Sequence, residues 1–244
     1  MSLIPLTLDV IGSILKNLEK TGCPSRRLLS LGYPDILAND EHIRGIFGGD
    51  VPRQIKYRDD SEQILRWHGA ERAVRHVPDA VSLFTALGYE LDVLDIAVAR
   101  GGEIVQDLNQ PIPENLKGRY ALVLDAGTLE HCFNIGAAAR NVAEMIAHGG
   151  AVMHGNPINM YNHGSYNLNP TWYHDFYEEN GFVIEFLRLV DSGIEPKVTE
   201  LPSFQRFASI PDNCTILVVA RRAELQEIRW PIQRKYRDNP NLRG

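Results

Sequence analysis

Tyr120-Ala121-Leu122-Val123-Leu124-Asp125 is apolar almost without interruption and closes on a carboxylate. A run of this kind reads as a central parallel strand covered on both faces, and it anchors the reading of everything around it. Downstream, Ile135, Ala138, Val142, Met145 and Ile146 mark a helix that Gly149-Gly150 closes, and Ala151-Val152-Met153-His154 follows as the next strand. Upstream, Val81, Phe84 and Leu87 line a helix stopped by Gly88, and Leu91 to Asp95 reads as a strand. Glu103 to Asp107 is a further strand after the Gly101-Gly102 turn, while Pro111 and Pro113 keep the next segment extended.

Nearer the ends, Leu8, Ile11, Ile14, Leu15 and Leu18 share one helical face, with Thr7 placed to cap the start and Gly22 to end it. Arg27 to Gly32 is a short buried strand running into a turn at Gly32-Tyr33-Pro34-Asp35. From Ile36 to Pro78 glycines and charges break the pattern, as in an excursion that forms a lid or a partner surface. Asn169 and Pro170 cap and open a helix carrying Trp172, Tyr173, Phe176 and Tyr177, whose spacing points to core packing. Phe182 to Val190 and Thr215 to Ala220 are the last two strands. Pro196, Pro202 and Pro211 between them leave no room for a crossover helix, so this pair is expected to be antiparallel.

Strands alternating with helices predict an α/β fold, a doubly wound sheet of about seven strands with an antiparallel last strand, helices on both faces and ligands at the carboxyl ends of the strands. With 244 residues, 44% hydrophobic and 23% charged, the chain can bury one core. Disordered and collagen-like classes are excluded. The three cysteines form no CxxC pair, which argues against a zinc ribbon or a disulfide framework and suits a reducing cytoplasm. The first twenty residues read neither as a signal peptide nor as a membrane span, and no segment reaches the roughly 18 apolar residues that a span needs. The net charge of −6 gives no overall reason to bind a phosphate backbone, so neither nucleic acid nor membrane is expected as a partner.

Asp107-Leu108-Asn109-Gln110-Pro111-Ile112-Pro113 and Asp125-Ala126-Gly127-Thr128-Leu129-Glu130-His131-Cys132-Phe133 together resemble a signature of bacterial class I S-adenosylmethionine-dependent methyltransferase-like proteins. The likeness runs from Arg27 to Ala220. It implies a Rossmann-like domain over residues 27–222, with residues 1–26 as an N-terminal helix, 36–78 as an insertion or lid and 223–244 as a basic tail. It implies S-adenosyl-L-methionine as cofactor, with Asp95 and Ile96 at the ribose, Asp107 and Leu108 at adenine, and Asp125, Ala126 and Gly127 beside the methionine part. The turn after the first strand, where such proteins usually carry a glycine-rich loop, has one glycine here. Gly32 and Tyr33 would border the cofactor in altered geometry, with Asp35 facing its amino group. Strand-end carboxylates also cap turns, the plainer role for Asp95 and Asp125.

Methyl transfer from a sulfonium needs alignment and exclusion of water, and a general base only where the acceptor holds its proton tightly. His163 or His154 is the candidate base, with Glu130 orienting a histidine or the acceptor and His131 beside it. Asp125, Glu130, His131, His154 and His163 could also hold a metal, but no HExxH-type spacing occurs and no metal is predicted. The implied reaction is O-methylation of a small molecule or a glycan hydroxyl. The competing reading, motivated by the turn at Tyr33-Pro34, is a binding or assembly module without turnover. A dinucleotide oxidoreductase is disfavoured because no GxGxxG follows any strand. From Arg221 to Gly244, seven basic residues stand against three acidic ones. Such a tail is expected to be solvated or to contact another subunit in a homo-oligomer, with an anionic partner as the alternative.

Overall fold

The computed structural model describes residues 2–191, 196–201, 205–207 and 209–239. In chain order the elements are β1 (Ser2–Leu3), α1 (Pro5–Thr21), β2 (Arg27–Leu31), β3 (Asp35–Ile36), α2 (Asp40–Phe47), α3 (Ser61–His68), α4 (Ala80–Ala86), β4 (Glu90–Asp95), β5 (Ile104–Val105), β6 (Tyr120–Asp125), α5 (Ile135–Met145), β7 (Ile146–Pro157), α6 (Pro170–Glu179), β8 (Phe182–Asp191), β9 (Lys197–Glu200), β10 (Cys214–Arg222) and α7 (Arg234–Arg237). The main sheet has eight strands in the order β5-β4-β2-β6-β7-β10-β8-β9. All six residues of β6 are buried.

The pairs β4·β5, β2·β4, β2·β6 and β6·β7 are parallel, and β10 runs antiparallel between β7 and β8. This is the α/β doubly wound sheet that the strand and helix alternation predicts, with the last strand reversed. The eighth strand, β9, pairs with β8 at an edge and has all four residues exposed, so it carries no hydrophobic pattern to read.

After β2 the chain builds outward through β4 and β5, then crosses back to β6 and β7 on the other side. The reversal opens a crevice at the carboxyl ends of β2 and β6, the usual ligand position in open α/β sheets. Val123 packs into one core with α5 and α6, and Leu122 and Leu124 pack into the other with α1 and α4. The buried face of α1, Leu8 to Leu18, belongs to this second core. Ile64, Leu65, Val74 and Val77 form a small cluster of their own. Beyond β10, Ile228 is buried in the first core and Arg229 N–H donates to Asn180 Oδ1 at 2.6 Å. Pro202 and Arg243 lie outside the described residues. Among the described residues no helix is long and apolar enough to cross a membrane.

Several local details differ from expectation. Helix α1 starts at Pro5, so Thr7 sits inside it and its hydroxyl donates back to the Ile4 carbonyl at 2.9 Å. Val81 on α4 is 39% exposed, because Ala80, Leu83 and Phe84 form the buried face instead. Only Ile104 and Val105 of the expected Glu103 to Asp107 strand pair with β4. Helix α5 ends at Met145 rather than at the glycine pair, and the Arg222 guanidinium closes its end by donating to the Ala143 and Ile146 carbonyls at 3.1 and 2.8 Å.

Gly149 and Gly150 therefore lie within β7. A Cβ on Gly150 would sit 2.9 Å from the carbonyl oxygens of Ala121 and Tyr120, against backbone that cannot move aside. Gly150→Ala is expected to cost about 1–3 kcal/mol of stability, read by chemical denaturation. A variant as stable as the wild type would contradict the packing of β7 on β6.

Candidate functional site

The carboxyl ends of the parallel strands enclose a cavity of about 220 Å³. Gly32 after β2, Asp95 and Ile96 after β4, Asp107 and Leu108 after β5, and Gly127 after β6 all line it. Its rim carries Thr128, His131 and Cys132. Gly32 and Gly127 have φ of 84° and 100°, which glycine adopts without strain. Asp95 Oδ1 accepts from the Ile96 N–H at 2.7 Å. Asp107 Oδ1 accepts from the Asn109 backbone at 2.9 Å and from its amide at 2.7 Å, while Asn109 Oδ1 accepts from Asn134 N–H at 2.8 Å. These bonds tie the loop after β5 to the start of α5 and hold Leu108 as a buried apolar wall.

The turn after β2 is built differently. Tyr33, Asp35 and Ala126 do not line the cavity. The Tyr33 hydroxyl donates to Asp79 at 2.6 Å, and the Arg100 guanidinium lies 4.5 Å over its ring. Burial, reinforced by the bond to Asp79, pushes the Tyr33 phenol up to about 12. Asp35 is engaged by Arg100 Nη2 at 2.8 Å and by His68 Nε2 at 3.1 Å. Ala126 packs at the edge of the second core. Arg100, His68 and Asp79 are absent from the sequence-based assignment, since nothing in local spacing marks them as partners of the turn.

Asp125 and His154 are fully buried and face each other across β6 and β7, with Oδ2 and Nδ1 2.6 Å apart. The other ring nitrogen, Nε2, is 2.6 Å from the Tyr177 hydroxyl on α6. Both bonds are satisfied when Nδ1 carries the proton and Tyr177 donates to Nε2. His154 is thus corrected from candidate base to structural group: it has no free nitrogen and no route to a ligand. Asp125 also accepts from the N–H groups of Thr128 and Leu129 at 2.9 and 3.2 Å, which turns the chain toward Glu130.

The Asn156 amide bridges the two buried carboxylates, donating to Asp125 Oδ2 at 3.0 Å and to Glu130 Oε2 at 2.9 Å. Its own carbonyl accepts from the Tyr173 hydroxyl at 2.6 Å. Tyr173 and Tyr177, read from helical spacing as packing residues, therefore carry polar duties as well. Burial holds both phenols well above their ordinary value.

Glu130 is 1% exposed, yet its Oε1 faces two half-exposed imidazoles. His131 Nε2 lies 3.9 Å away and His163 Nε2 3.6 Å away. His163 is brought in by the loop after β7, which docks through the Ser165 N–H donating to the Glu130 carbonyl at 2.8 Å. A Cβ on Gly164 would meet that same carbonyl oxygen at 2.9 Å, so the close approach requires glycine. Burial, with Asp125 nearby, pushes the Glu130 carboxyl up to about 7. Burial and His163 lower the His131 imidazole. Of the sequence-predicted chemical groups, Glu130, His131 and His163 thus meet beside the cavity, which His131 lines, and their ligand atoms all lie within 4.8 Å of one another.

No protein-family model and no curated protein matches the sequence. Solved structures do resemble it. A Burkholderia thailandensis 1,6-didemethyltoxoflavin-N1-methyltransferase, with bound S-adenosylhomocysteine, is 9% identical over 89% of this chain and 79% of its own, with a TM-score of 0.47. A Thermus thermophilus branched-chain polyamine synthase is 16% identical over 91% of this chain and 58% of its own, at 0.37. A 16S rRNA (adenine(1408)-N(1))-methyltransferase from Catenulisporales acidiphilia is 10% identical over 87% and 94%, at 0.39. The likeness is one of fold alone. It nevertheless corrects the exclusion of nucleic acid as a partner, because an rRNA methyltransferase is among the similar structures. Net charge describes the whole chain and does not decide what a local surface binds.

The raised Glu130 pKa has a definite consequence for stability. In the folded protein the carboxyl keeps its proton up to about pH 7, whereas the unfolded chain releases it near 4.5. Folding is therefore favoured most below the unfolded value, and this contribution is lost as pH rises toward the folded one. Relative to Glu130→Gln, the wild type should lose about 3 kcal/mol of stability between acid and mildly alkaline pH. Denaturant titrations at several pH values measure it, and parallel profiles for the two proteins would contradict the assignment.

Proposed function

We propose that the protein is an S-adenosylmethionine-dependent methyltransferase that binds the nucleoside of its cofactor between Asp95 and Leu108. The observation that carries this reading is the meeting of a strand-end carboxylate, an apolar wall and two positive-φ glycines in one cavity. Asp95 can accept from both hydroxyls of a ribose, and among the described residues only the Ile96 N–H occupies it. Leu108 offers a flat apolar contact to adenine. A side chain at Gly127 would meet Glu130 Oε1 at 3.3 Å, so glycine keeps that floor open. The donor set thus fits a nucleoside. The signature segments support the reading, since the bond from Asn134, the residue that follows the second segment, to Asn109 ties it to the loop of the first.

When bound, the cofactor supplies an electrophilic methyl group on a sulfonium. The chain's own residues orient and desolvate. Leu108 and the two glycines exclude water from the crevice floor, where a displacement proceeds with the least competition. Glu130, His131 and His163 form the polar end of the site, suited to drawing a proton from a hydroxyl acceptor, and O-methylation of a small molecule or glycan is the reaction we infer. Three free thiols suit a reducing cytoplasm.

The turn after β2 favours a second reading. Asp35 has both oxygens engaged, by Arg100 and His68, and does not line the cavity, as in a binding or assembly module without turnover. Calorimetric titration with S-adenosylmethionine and S-adenosylhomocysteine separates the two. Binding of either is expected, weakened about 10- to 100-fold by Asp95→Ala through loss of charge-assisted hydrogen bonds. No binding at millimolar ligand would sink the enzyme reading, and an unchanged affinity in the variant would place the ribose elsewhere. Methyl transfer is then assayed on sugars, small alcohols and RNA.

A further inference from the structure

We propose that Glu130, His131 and His163 bind a divalent transition-metal ion of the zinc type. The three donors come from two segments that share no motif spacing, the turn after β6 and the loop after β7, and only the fold brings them together. Two imidazole nitrogens and one carboxylate oxygen suit zinc, iron, cobalt or nickel, whereas magnesium and calcium prefer all-oxygen sets.

The three ligand atoms lie within 4.8 Å of one another, and the two separations from Glu130 are near those an ion site needs. Glu130 Oε1 lies 3.6 Å from His163 Nε2 and 3.9 Å from His131 Nε2, beyond hydrogen-bond reach. A tetrahedral ion with bonds of about 2.1 Å needs donors about 3.4 Å apart. Small rotations of two half-exposed rings close that gap, while the carboxylate stays fixed. Glu130 is held from behind: Oε2 accepts from the Asn156 amide, which in turn accepts from Tyr173. Support of this kind orients a metal-ligating carboxylate.

Three protein ligands leave at least one coordination position open, as in catalytic rather than structural zinc sites. His131 also lines the proposed nucleoside cavity, so an ion held by it would lie next to the crevice. An acceptor hydroxyl bound there would have its pKa lowered and release its proton to water. This use of the ion rests on the methyl-transfer reading. Metal binding itself does not.

Chelator-treated full-length protein is titrated with zinc by calorimetry and with cobalt by visible absorption. One ion per chain is expected, with His131→Ala and His163→Ala each weakening binding at least about 10-fold and His76→Ala leaving it unchanged. Both ligand histidines are about half exposed, so the variants should match the thermal unfolding of the metal-free wild type. The absence of saturable binding, or binding that survives the double His131→Ala, His163→Ala variant, would overturn the proposal. S-adenosylhomocysteine affinity, measured without metal on the His163→Ala variant, whose residue does not line the cavity, should stay unchanged. Loss of metal binding with cofactor binding intact is therefore distinct from failure of the cofactor site.

Discussion

The Asp125 carboxylate, fully buried at the end of β6, is the interaction on which the rest of the site depends. One oxygen receives the N–H groups that turn the chain toward Glu130, and the other receives His154 and Asn156. Each of those partners is in turn held by a tyrosine of α6. A carboxylate taken out of water is costly unless every lone pair finds a donor, and here the sheet, the turn and a helix supply them together. The same network fixes the depth of β7 against α6 and the orientation of Glu130 at the crevice rim.

Two carboxylates share the Asn156 amide, and their environments differ. Asp125 meets four donors, whereas Glu130 meets one amide and two imidazoles held at a distance. Burial and the neighbouring carboxylate therefore fall on Glu130, which becomes the group whose charge is poised. A positive charge placed between it and the histidines would relieve that penalty. The Glu130 end of the crevice is thus poised to bind a cation or receive a proton, while the other end sets the Asp95 and Asp107 carboxylates beside the apolar Leu108 wall.

Much of the fold was legible in the chain. The run Tyr120 to Asp125 coincides with β6, because a strand covered on both faces needs apolar side chains in both directions. The strand-end positions Asp95, Asp107 and Gly127 come together because the topology of such sheets gathers them. The engagement of Asp35 was hidden, since its partners His68 and Arg100 stand 33 and 65 residues further along and no local pattern links them. The burial of His154 was hidden for a similar reason. A histidine at the end of a strand reads as ligand-facing until the Tyr177 hydroxyl and the Tyr173 ring, one helical turn apart on α6, are seen to cover it. The eighth strand escaped because an exposed edge needs no hydrophobic pattern.

We propose that the cavity at the carboxyl edge, with its Asp95 carboxylate and Leu108 wall beside the Glu130 cluster, is a cradle for a nucleoside. A crystal structure of the complex with S-adenosylhomocysteine tests it most directly. The ribose hydroxyls should lie within hydrogen-bond distance of Asp95, with adenine against Leu108 and the sulfur directed toward the Glu130 rim. Ligand density outside this crevice, or an adenosine turned away from Asp95, would contradict it.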